Sequence, residues 1–119
     1  MSAFTTRIRP GVECELEAAR AAHLGGDAAT AFIHLERAHV LGQASTLLHV
    51  RVHWHMLVWG LRERSAREAL GQVLRIVGGA LMTPFGLVPK GNTGGANVSP
   101  LEPMPIPLDL QRAIDAARD

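Results

Sequence analysis

The sequence predicts an all-α fold, and three observations carry the prediction. Alanine and leucine, both strong helix formers, are frequent in a chain that is 47% hydrophobic. Aromatic residues make up only 4%, and the Val/Ile/Thr-rich runs that mark strands are missing. Apolar residues also recur at helical spacing between capping residues and glycines. At 119 residues the chain is expected to form one domain with a modest core. The expected architecture is a compact bundle of about four helices built from antiparallel αα-hairpins over residues 10–83. A Pro/Gly-rich segment, 84–107, packs over it, and a short helix is expected at 109–117.

The first helix is expected to open near Pro10, because proline is tolerated at the first helical position. It runs through VECELEAARAAHL and stops at Gly25-Gly26. Asp27 is a good N-cap for a second helix, AATAFIHLERAHVL, closed by Gly42. Ser45 caps a third, TLLHVRVHWHMLVWGLRE. A fourth, AREALGQVLRIVGGAL, spans about 66–81, and Gly78-Gly79 weaken its end. From Pro84 to Pro107 six prolines and four glycines exclude a helix interior. A loop of that length is functional or wraps the domain, and its Leu, Val, Met and Ile favour wrapping.

Net charge is +1 with neutral histidines, so no electrostatic footprint for nucleic acid or an acidic membrane is present. Cys14 is the single cysteine, which excludes an intramolecular disulfide and fits a reducing cytoplasm. MSAFTTRIRPG lacks the apolar run of a signal peptide. The most apolar later segment, Val73 to Val88, is shorter than a membrane span and carries Arg75. A soluble, cytoplasmic protein is expected.

Five of the six histidines fall in HLERAHVLGQASTLLHVRVHWHM, residues 34 to 56. Helical phase divides them. In the third helix His49, His53 and Met56 lie opposite Arg51 and Arg62, whereas His55 lies beside those arginines. In the second, His39 shares a face with Ala31 and Leu35, Glu36 stands at its shoulder, and His34 points outward. His39 and His49 are about equally far from the intervening turn. An antiparallel hairpin therefore sets them level, with Glu36 and His53 about one turn further along. The first hairpin brings Glu15 opposite Glu36 as a candidate fifth ligand.

Imidazole and carboxylate groups bind zinc, iron and related divalent ions, and a thioether shifts preference towards copper(I). Glu36-Arg37-Ala38-His39 has the Glu-x-x-His form used in helical-bundle metal sites. His49-x-x-x-His53 places two imidazoles one turn apart. An uncompensated polar cluster in so small a core would be costly, and a metal would satisfy all its members. The predicted function is binding of a divalent transition metal (zinc, iron or copper) by Glu36, His39, His49 and His53, with Glu15 as the further ligand. Met56 reads as core filler, His23 as structural, and His34 and His55 as solvated. GNTGG at 91–95 lacks the strand–helix setting of a phosphate loop and reads as turn structure. The competing reading is a non-catalytic interaction or oligomerisation module. It would bind another protein or a second copy of the chain, with the histidines as a buried network. Enzyme status stays open.

Gly26, Ala31, Leu35 and Ala38 fall at the spacing of half a tetratricopeptide repeat, and no second copy at the 34-residue period accompanies them. HLERAHVLGQ, HVRVHWHML, LGQVLRIV, VPKGNTGGANVS and PMPIP, in that order, resemble the family catalogued as domain of unknown function 3703. The resemblance implies a small helical bacterial protein without an assignable activity. It also implies signature positions at Glu15, Glu36, His39, His49 and His53, and variable ones at His34 and His55.

Overall fold

The computed structural model describes residues 2–119. It contains five α-helices and, among the described residues, no strand: α1 (Ala3–Leu24), α2 (Ala28–Gly42), α3 (Thr46–Arg62), α4 (Ala66–Met82) and α5 (Leu108–Arg118). A short 3-10 turn, Thr83–Phe85, follows α4. No helix among the described residues is long and apolar enough to cross a membrane.

Helix starts follow local side-chain chemistry. Asp27, Ser45 and Ser65 each accept the backbone N–H of the residue three further on, which satisfies an otherwise orphaned donor. The first helix departs from expectation, because it begins at Ala3 and Pro10 lies inside it. Pro10 is exposed, on the solvent side of the helix. The turn before it is secured by Ser2, which caps Thr5, and by the Thr5 hydroxyl, which donates to Ser45 Oγ at 2.7 Å. Thr5, Ile8 and Val12 are buried at helical spacing across the proline. That tertiary burial outweighs the lost N–H.

The helices pack antiparallel as consecutive hairpins: α1 against α2, α2 against α3, and α3 against α4, with α5 closing over α1 and α2. The core comprises Ile8, Val12 and Leu16 of α1; Leu35, Ala38 and Leu41 of α2; Leu48, Val52 and Met56 of α3; and Leu110 and Ile114 of α5. Met56 is fully buried, as core filler should be, and Cys14 is an exposed free thiol. Helix α4 is built the other way round. Its buried residues are Glu68, Gln72 and Gly79, while Leu70, Leu74, Val77 and Leu81 face outward.

The proline- and glycine-rich segment makes polar contacts with α2, with the residue that closes it, and with α4. Gln43 holds it through Pro89 O and the N–H of Gly91. Ala96 N–H donates to the Glu68 carboxylate, and Arg75 donates to Val98 O at 2.8 Å. Asn92 donates to the carbonyls of Ser99 and Glu102, which draws the far part of the segment onto its start.

Candidate metal centre

His39 lies one turn beyond Leu35 on the buried face of α2, while His49 and His53 share a face of α3 with Val52 and Met56. Because that face looks into the bundle, all three rings are inside, with at most 5% of each residue exposed. Their Nε2 atoms converge. His39 and His49 approach to 2.9 Å, and His53 lies 3.1 Å from each of the others. Tetrahedral Zn–N bonds of about 2.0–2.1 Å separate their nitrogens by roughly 3.3 Å, so this triangle needs to open by only a few tenths of an ångström. The three residues could hold a metal ion.

Each Nδ1 atom is held from outside the triangle. His39 Nδ1 donates to the backbone carbonyl of Asn92 at 2.7 Å. His53 Nδ1 donates to Gln72 Oε1 at 2.6 Å. The Gln72 amide is oriented by its own donations, to Glu68 Oε2 at 2.6 Å and to Gly94 O at 2.8 Å. Both acceptors are carbonyl oxygens, so His39 and His53 carry their protons on Nδ1 and turn lone pairs inward. His49 Nδ1 meets the Thr83 hydroxyl at 2.6 Å, and that hydroxyl can accept in the same way. The arrangement has the form of the outer shell that orients imidazoles in known metal sites, with Glu68 at its carboxylate end.

Burial keeps the rings neutral. Desolvation, reinforced by the neighbouring imidazoles, holds His39 well below the ordinary value and pushes His49 down to about 3. Desolvation lowers His53 to about 4, partly opposed by its bond to Gln72. The Arg75 charge adds to the depression at His39 and His53.

Gly94 lets the loop close against His39. Its φ is +86°, and a Cβ placed there would lie 2.5–2.8 Å from the His39 ring. Glycine alone meets both demands without strain. A cavity of about 260 Å³ opens beside the triad, bounded by Arg75, Gly78, Met82, Leu87, Pro89 and Leu101 among others. A larger groove of about 730 Å³ runs between α1 and α3 past Glu13, Arg51 and Trp54, away from the three rings.

The structure thus brings together three of the five residues singled out from the sequence. Glu36 stands beside Thr93, whose hydrogen bond opposes the burial that raises its pKa. Glu15 gives one oxygen to His34 at 2.7 Å and the other to Arg37 at 2.9 Å. His34 and His55, expected in water, are half-buried because α1 packs over that side and supplies partners such as Glu15. Gln72, Thr83, Asn92 and Glu68 escaped the sequence reading. A signal existed for two of them: Glu68, Gln72, Arg75 and Gly79 fall on one helical face, opposite the apolar residues of α4. The family model described as "Protein of unknown function (DUF3703)" matches residues 6–114, nearly the whole chain. No curated protein and no solved structure matches it.

Proposed function

We propose that this chain, which belongs to the DUF3703 family, binds a divalent transition metal through the Nε2 atoms of His39, His49 and His53. One observation carries the reading: three inward nitrogens stand 2.9–3.1 Å apart while at least two of the rings keep their protons on the opposite side. Between His39 and His53 there is then no proton to share, and two lone pairs face each other in a site without water's screening. A cation satisfies all three at once. The two glutamates are left out of this ligand set, because Glu15 is engaged with His34 and Arg37, and Glu36 with Thr93.

Zinc, iron(II) and copper suit three imidazoles. Three neutral ligands would leave the ion's charge uncompensated, and Arg75 stands nearby on the same cavity. Such a site favours an anion, whether hydroxide from a bound water or an acidic group on a small molecule. The cavity gives that ligand room, which supports metal-dependent chemistry over a closed structural site. A reducing cytoplasm suits the lone exposed thiol of Cys14.

Elemental analysis of protein purified without a polyhistidine tag tests the reading. Wild type should carry or take up one equivalent of metal, and the His49→Ala/His53→Ala variant should lose it. A metal-free wild type that cannot be loaded with zinc, iron(II) or copper would sink it.

A further inference from the structure

We infer that the outer face of the α3–α4 hairpin is an interface with a second copy of this chain. The observation is the inverted construction of α4. Its core-facing side is polar, whereas Leu70, Leu74, Val77 and Leu81 look outward at spacings of four, three and four. That alternation is the seam by which one helix packs against another. The neighbouring helix repeats the pattern. Leu47, Trp54 and Leu61 of α3 are exposed at intervals of seven, and the partly exposed Val50 and Leu57 fall between them at seam positions.

The two seams belong to one surface. Gly60 packs on Ala69, His53 bonds to Gln72, and the His49 ring lies on Gly79, so the helices run antiparallel in close register. Helical phase turns Leu70, Val77 and Leu81 of α4 and Leu47 and Leu61 of α3 away from the triad, with Leu74 at the edge where this surface meets the cavity beside the rings and Trp54 at the edge where it meets the α1–α3 groove.

Size argues for the occupant. The seam residues named as exposed, with Val73 beside them, each retain between 48% and 73% of their accessible surface. At roughly 100 Å² per side chain, eight such residues present on the order of 800 Å² of apolar surface. That exceeds the few hundred Å² that monomers ordinarily expose and equals one partner's share of a stable dimer. A surface made of two antiparallel seams is matched by another two-helix face. A twofold axis supplies one from the same chain, producing a four-helix bundle across the interface. The triad lies inside each protomer, so this inference stands independently of metal binding.

Sedimentation equilibrium of the full chain at tens of micromolar should give twice the 12.8 kDa of one chain. Leu70→Glu/Val77→Glu should halve that mass while keeping helical circular dichroism and metal content. Phe85→Glu, an exposed position outside both seams, should leave the mass doubled. Wild-type fluorescence provides a measurement that no substitution can disturb. Trp54, exposed in a single copy, is covered in the dimer, so emission should shift to the red on dilution. A wild type of single-chain mass with emission independent of concentration would overturn the inference. So would a folded double variant that stays dimeric. A monomeric wild type that sediments with anionic phospholipid vesicles would assign the face to a lipid surface instead.

Discussion

The proton positions on two of the three imidazoles set the character of the cluster. A carbonyl oxygen behind His39 and another behind His53 fix each ring with its lone pair inward, at no more than 3.1 Å from its neighbours. The same burial sets an acid limit. Folded-state pKa values lie below the ordinary 6.5, at about 4 for His53 and about 3 for His49. Below pH 6.5 the unfolded chain therefore binds more protons than the folded one. Stability contributed by the neutral triad is complete above that pH and is lost as pH falls towards about 4 and then about 3. Urea titrations of metal-free protein should show midpoints that fall steadily between pH 6.5 and 4. In a His49→Ala/His53→Ala variant that slope should be shallower. An identical slope would mean that other groups control acid stability.

At the scale of elements, the site depends on a helix and a loop that conventional patterning describes poorly. Helix α4 turns Glu68 and Gln72 inward because they bind His53 and the loop N–H of Ala96, and a leucine in either place would leave those groups unpaired. The loop approaches His39 through Gly94, where positive φ and ring contact coincide. Gly94→Ala should therefore cost about 1–3 kcal/mol in urea unfolding and weaken metal binding. Gly86→Ala is the control, since φ there is also positive but nothing lies within 4 Å of the added carbon. It should cost less and leave the metal in place. Equal losses from the two substitutions would show that backbone strain alone matters at Gly94.

At the scale of the whole molecule, the triad ties together parts of the chain far apart in sequence. His39, His49, Gln72, Thr83 and Asn92 lie on α2, α3, α4, the turn after it and the loop, so an ion held by the rings, as proposed, would stabilise all of them against unfolding. Metal at 100 times its dissociation constant adds about 2.7 kcal/mol, which for a chain this long raises Tm by roughly 10 °C. Calorimetry of wild type with and without added zinc should show that rise, and the His49→Ala/His53→Ala variant should not. An unchanged wild-type Tm at saturating metal would argue against a site that spans these elements.

The sequence by itself determined the all-helical class, the helix ends capped by Asp27, Ser45 and Ser65, and the inward direction of His39, His49 and His53. Each is a local property, set by propensity, by a side chain reaching three residues ahead, or by the period of a helix. The start of α1 was not legible, because Pro10 reads locally as a first helical position, and the burial of Thr5 and Ile8 carries the helix back past it. The partners of the histidines were not legible either. Gln72, Thr83 and Asn92 stand 19 to 53 residues from the rings that they hold. Only tertiary structure decided that Glu15 turns to His34 and Arg37 and that Glu36 faces Thr93. A carboxylate takes the nearest donor in space, and helical phase fixes the direction of a side chain without fixing its neighbour.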